Sequence, residues 1–259
     1  MNNSDRMKNN LLTIYESLHK RAQKVPHDVA KNMGLPLLPF PRDRWFHSSN
    51  RLLIIGQETF EWYCNSEKFP DWPHCTLSNF IDFRNYDKSI EALTYAYMFD
   101  YYVDKSNYPN LPKYRTTPFT RVMSIFSDIF NRSGDGDLLT SNLFKTIYRT
   151  TLSRSPLKAT TQELEVIMDW QKDCLVNEIK ILQPTSVIFF TGPNYEHVLM
   201  KEFPETTVMP IDNYLPNRFA RLVHKDLPAK TFRTYHPAYL MRSRKWDWVE
   251  KLIELSITD

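Results

Sequence analysis

Glu58 and His236 are the side chains in this 259-residue sequence whose neighbours best suit them to chemistry. Glu58 follows Leu52-Leu53-Ile54-Ile55, an apolar run that stops abruptly at Gly56, and it has Gln57 before it and Phe60 two residues on. A run apolar at every position reads as a strand covered on both faces. Gly56 would then allow a sharp turn. Ligands of open α/β sheets gather beyond the carboxyl ends of the strands, so an amide, a carboxylate and an aromatic ring are delivered together to that place. His236 follows a short strand read at Thr231 to Tyr235, and Pro237 biases it towards extended backbone, which fixes the direction of its ring. Tyr239, Leu240 and Met241 come next, flanked by Arg233, Arg242, Arg244 and Lys245. Apolar wedges among cations suit a duplex whose base stack is to be opened. A third candidate is Asn142, after Leu138-Leu139-Thr140-Ser141: its amide can close a turn, or offer a donor and an acceptor to a ligand. Lys145, Tyr148, Arg149 and Arg154 follow it as a phosphate-contacting surface.

Taken together, Gly56-Gln57-Glu58-Thr59-Phe60 and His236-Pro237-Ala238-Tyr239-Leu240 resemble the two signature motifs of the uracil-DNA glycosylase superfamily. There the first motif is Gly-Gln-Asp-Pro-Tyr or a relative of it, and the second is His-Pro-Ser followed by an intercalating residue. Asp137 to Thr146 is similar to the family segment whose Asn reads the edge of the flipped base. Val187 to Asn194 is similar to the buried strand that leads to a Gly-containing, phosphate-contacting turn. The resemblance spans residues 51 to 257 and is carried by these short motifs.

The resemblance implies an α/β fold, a three-layer α/β/α sandwich around a central, mainly parallel four-stranded sheet, over residues 51–259, with residues 1–50 a helical extension packed on it. It implies a monofunctional DNA glycosylase acting on uracil or another modified pyrimidine, in DNA repair or anti-phage defence. Breaking an N-glycosidic bond leaves positive charge on the sugar and negative charge on the base. In this scheme Glu58 orients or activates water and stabilises the cationic sugar, and His236 stabilises the departing anion. Gln57 and Phe60 shape the base pocket, and Asn142 reads the base edge. One of Tyr239, Leu240 or Met241 fills the vacated space, while Lys145, Gly192, Asn194 and Arg242 contact the DNA strand. A monomer on DNA is expected, with no metal and no other cofactor, and no lysine inside either motif suggests a lyase. Three positions depart from the family pattern: Glu58 stands for Asp, Thr59 for Pro and Ala238 for Ser. The longer carboxylate, the looser turn and the missing hydroxyl leave the base open. Two other readings remain: a nucleic-acid-binding protein of the same fold without catalysis, and an α/β protein whose Arg-rich C-terminal loop binds the phosphate of a small soluble ligand.

The elements that must position these residues follow from periodicity. Residues 5 to 24 read as an amphipathic helix, and the prolines from Leu35 to Pro41 as extended chain. Pro118 to Phe130 reads as a helix with Pro at its favoured first position. A turn at 133–137 precedes a short strand at Leu138-Leu139. Thr160-Thr161-Gln162-Glu163 resembles a capping box and opens one helix reaching Leu182, which Pro184 ends. Val187 to Phe190 read as a second buried strand, with helices at about 194–203 and 246–257, and this βα alternation predicts a parallel sheet. In the aromatic-rich stretch 63–117, Trp72, Phe80, Phe83 and Tyr86 are candidates for a base-stacking ring. Only 5 glycines argue against propellers and glycine-rich nucleotide loops. The net charge of +3 is a weak pointer to nucleic acid. Three irregular cysteines give neither a disulfide framework nor a four-cysteine cluster, and His74-Cys75 with Cys64 has no standard metal spacing. With no apolar stretch of about 20 residues and a polar N-terminus, a cytoplasmic, non-membrane protein is expected.

Overall fold

The structure, a computed structural model, describes residues 3–34, 36, 38–41, 43–58, 118–151, 153 and 155–257. Phe60, the ring candidates, Arg154, Cys64, His74 and Cys75 lie outside them. Helix α1 (Asn3–Ala22) buries Met7, Leu11, Tyr15, Leu18 and Ala22, spaced three and four apart, while Asp5 and His19-Lys20-Arg21 match the polarity of its two ends. Short helices α2 (His27–Ala30) and α3 (Asp43–His47) follow, and Trp45 of α3 is fully buried with its Nε1 donating to Leu182 O at 2.8 Å. Strand β1 (Asn50–Gly56) buries Leu52, Leu53, Ile54 and Ile55. Because alternate strand residues face opposite ways, both faces of the sheet are covered there. Each such side chain contributes roughly 1.5–3 kcal/mol by leaving water.

Helix α4 (Pro118–Ser133) leads to β2 (Gly136–Asn142), buried along its whole length. The strand is seven residues rather than two because it pairs in parallel with β1 from Asn50↔Gly136 to Gly56↔Asn142. Next come α5 (Thr161–Gln171), which has the expected capping box of Thr160 and Glu163, and α6 (Cys174–Leu182). The single helix expected over 160–182 is thus broken. Gln171 turns inwards, its Nε2 donating to Leu143 O (3.0 Å) and its Oε1 accepting from Lys145 N (2.9 Å), and Asp173 takes a left-handed φ of 62°. Strand β3 (Ser186–Phe189), α7 (Glu196–Glu202), β4 (Thr207–Pro210), β5 (Ala220–Val223), β6 (Lys230–Arg233), α8 (Pro237–Arg242) and α9 (Asp247–Ile257) complete the order.

The fold is α/β, and the described residues form a mixed six-stranded sheet in the order β2-β1-β3-β6-β5-β4. The four-stranded sheet expected from the resemblance is corrected by this count. β2, β1, β3 and β6 run parallel, and an antiparallel hairpin of β4 and β5 extends the sheet beyond β6. Leu11, Tyr15 and Leu18 of α1 belong to the same buried cluster as β1 and β3. No helix among the described residues is long and apolar enough to cross a membrane.

Candidate active site

Four parallel strands end at one edge of the sheet, and each delivers a candidate residue there. β1 leads to Gln57 and Glu58, β2 ends in Asn142, β3 leads to Thr191 and Gly192, and β6 leads to His236. Hydrogen bonds past the strand ends hold these connections together. Leu143 N donates to Gly56 O (3.0 Å), Phe144 N to Gln57 O (2.9 Å), and Gly192 N to Thr234 O (2.9 Å). The Gln57 side chain joins them, its Nε2 donating to Thr191 O at 2.9 Å.

Gly56 is required for space rather than for a turn. It is absent from the positive-φ residues and is the last residue of β1, but a Cβ on it would collide with Asn142 Oδ1. Asn142 is 6% exposed, and its amide oxygen lies directly beside Gly56. Gly56→Ala should therefore displace the Asn142 amide, a side-chain end, while leaving the sheet intact. The expected result is a melting temperature within about 4 °C of wild type, on the order of 1 kcal/mol, with ligand affinity or turnover strongly reduced.

His236 caps α8. Its Nδ1 accepts from Ala238 N at 3.2 Å, which assigns the proton of the neutral ring to Nε2. Phe119, at the start of α4, stacks on the imidazole with centroids 5.7 Å apart and planes at 12°. Phe119 also meets Phe190 edge-on, so a described aromatic ring lines the site although the sequence reading did not single it out. Burial, assisted by the nearby Arg242 charge, pushes the His236 pKa down to about 4. The ring is thus neutral at pH 7, with a single N–H to offer. The unfolded chain protonates this group below about 6.5 and the folded one does not, so stability present at neutral pH is lost as pH falls from 6.5 towards 4. Urea unfolding should show a loss of roughly 2–3 kcal/mol over that interval that His236→Gln removes.

Glu58 is half-buried. Burial raises its carboxyl above the usual range, while hydrogen bonds from Tyr195 and Ser155 oppose the rise. Tyr195 OH donates to Glu58 Oε2 and lies 3.0 Å from Ser155 Oγ. Tyr195 is the second residue that no sequence motif marked.

No family model matches the chain, and no curated protein matches it.

The exposed flank of the site is sorted by α8, which turns the chain after His236 into a helix rather than a loop. Tyr239 (39% exposed) and Met241 (44%) face outwards, whereas Leu240 is fully buried and cannot act as a wedge. Tyr239 stacks on Tyr235 at 4.2 Å, and Tyr235 leans on Trp248, so the outer ring stands on a rigid aromatic support. Arg242 and Arg244 are exposed, Asn194 is exposed in the 3-10 turn Pro193–Tyr195, and Gly192 before it has φ 68°. Arg233 does not flank the wedge. It is 1% exposed and donates to Pro216 O and Asn217 O (2.8 Å each), besides pairing with Glu196 at 3.0 Å. Tyr148 is likewise buried, its hydroxyl donating to Glu163.

Lys145 is corrected for the same reason. At 1% exposure, its Nζ binds the carboxylate of the fully buried Glu178 and the hydroxyl of Ser141, so it reaches no phosphate. Cys174 and Glu202 complete this interior cluster. Burial pushes the Cys174 thiol well above its ordinary value and the Glu202 carboxyl up to about 7. Among the described residues, no three His, Cys, Asp or Glu side chains come together as a metal site.

Proposed function

We propose that the protein is a monofunctional DNA glycosylase, a hydrolase that flips uracil or another modified pyrimidine from DNA and cleaves its N-glycosidic bond. The observation that carries this reading is the convergence of Glu58, Asn142 and a neutral His236 beyond the ends of the parallel strands, together with the likeness of the two motifs to the uracil-DNA glycosylase superfamily. The amide of Asn142 supplies a donor and an acceptor for a pyrimidine edge. The Nε2–H of His236 donates to the base oxygen on which negative charge develops. A neutral imidazole suits that task because the group remains a hydrogen-bond donor throughout the reaction. The Glu58 carboxylate stabilises the cationic sugar and orients the water that attacks C1′. Phe119 backs the imidazole, and Gln57 fixes the turn from which Glu58 projects.

Extrusion of a nucleotide costs about a few kcal/mol, offset by contacts in the pocket and by a side chain that fills the gap. Tyr239 and Met241 are the exposed candidates for filling it, with Arg242 and Arg244 near the phosphates.

The test is a panel of oligonucleotides and genomic DNAs carrying different pyrimidines, assayed for free base by mass spectrometry. Release of one base names the substrate. No release from any DNA, with binding that falls steeply with salt as several phosphate contacts require, would leave a non-catalytic nucleic-acid-binding protein of the same fold.

A further inference from the structure

Tyr195 has no assigned part in this scheme, yet it is the described residue most directly joined to Glu58. It lies in the 3-10 turn Pro193–Tyr195 immediately after the Gly192 bend, is 5% exposed, and is held edge-on by Phe144 with ring centroids 6.0 Å apart. Its hydroxyl donates to Glu58 Oε2. Behind it Ser155 caps a second 3-10 turn, Pro156–Lys158, and places its Oγ 3.0 Å from the phenol oxygen. The Tyr195 hydroxyl thus reaches the carboxylate directly, and the Ser155 hydroxyl, from a separate connection, backs the phenol oxygen.

We infer that Tyr195 is a positioning residue: its hydroxyl, supported by Ser155, holds the Glu58 carboxylate in a single orientation and in its ionised form. The inference rests on the proposed reaction at the same site for its catalytic meaning and on the geometry alone for the coupling. A carboxylate has about four lone-pair positions, so the bond from Tyr195 leaves others for a water. A half-buried carboxylate without donors rotates freely and takes up a proton more readily. Burial and the adjacent Glu58 both push the Tyr195 phenol well above its ordinary pKa, so it stays a donor across the working pH range. No charged side chain among the described residues shifts Glu58, whose described neighbours in this respect are Tyr195 and Ser155.

The experiment titrates Glu58 directly by carboxyl 13C NMR of the 259-residue chain, with Glu58→Gln assigning the resonance. Tyr195→Phe keeps the ring against Phe144 and removes only the hydroxyl. The expected result is a Glu58 pKa higher by about one unit, since a hydrogen bond to the charged form is lost. Ser155→Ala, which leaves the aromatic packing untouched, should move it in the same direction by less. In parallel, the acid limb of base release should shift upwards by the same amount, with kcat lowered about 10–100-fold and KM within about twofold. An unchanged Glu58 titration in both variants would overturn the inference. Because the titration needs no substrate, a protein that releases no base yet shows the shift would retain the coupling and lose the glycosylase reading.

Discussion

Exchange of Glu58 for glutamine is expected to lower the single-turnover rate of base release by about 10²–10⁴-fold. Glutamine keeps the length of the side chain and an oxygen that accepts from Tyr195, so the turn held by Gln57 and Thr191 should persist. In the proposed reaction, what it removes is the negative charge that stabilises the cationic sugar and the group that orients water. His236→Ala should cost about 10²–10³-fold by removing the donor that stabilises the leaving base, the range found for other preorganised oxyanion donors. Phe119 would lose its stacking partner, so His236→Gln, which restores a donor, is the companion variant. DNA affinity should change little in Glu58→Gln. Rapid-quench kinetics at saturating enzyme separate the chemical step from binding. The pH profile follows from the same two groups: His236, neutral down to about pH 4, contributes no loss of activity above that, so the acid limb should belong to Glu58 and lie above the ordinary carboxylate range.

Lys145→Met is expected to destabilise the protein by about 3–5 kcal/mol, because it leaves the Glu178 carboxylate buried without its cation. In a chain of this length that corresponds to a melting temperature lower by about 10 °C. Ser141 would still donate to Glu178 at 2.9 Å, which is too little to replace an ammonium. Pairing the change with Glu178→Gln should recover much of the loss, since the uncompensated charge is then gone. The salt dependence of DNA binding should be the same in the double variant as in wild type. A shallower salt slope in a fully folded Lys145→Met protein would instead return this lysine to the phosphate-contacting surface.

The contrast between Glu58 and Lys145 shows what was legible in the sequence. The positions of Gln57, Glu58 and Asn142 at or just beyond strand ends were legible because β1 and β2 carry apolar runs that stop at polar residues, and that of His236 because a short strand is read before Pro237. The burial of Lys145 is set by Glu178, 33 residues away, which no local pattern announces. Leu240 was misplaced for a different reason. A wedge-bearing loop and a six-residue helix share the same sequence, and only the helix turns Leu240 inwards while leaving Tyr239 and Met241 outside. The β4–β5 hairpin was missed because its strands are four residues long and one of them is largely exposed and ends in Pro210. The break between α5 and α6 was missed because Gln171, apparently an ordinary helix residue, is recruited by Leu143 and Lys145. Tyr195 had no motif at all; a tyrosine two residues after Gly192-Pro193 reads as core packing until its hydroxyl is seen on Glu58.

The most direct measurement of hydrolysis at this site is base release carried out in 18O-labelled water, on the DNA that the substrate panel identifies. Attack of water at C1′ predicts one heavy oxygen on the sugar of the abasic site, unlabelled free base and an unbroken strand, all lost together in Glu58→Gln. Absence of base release from every DNA, or release in which the sugar oxygen is unlabelled or the strand is cut, would contradict it.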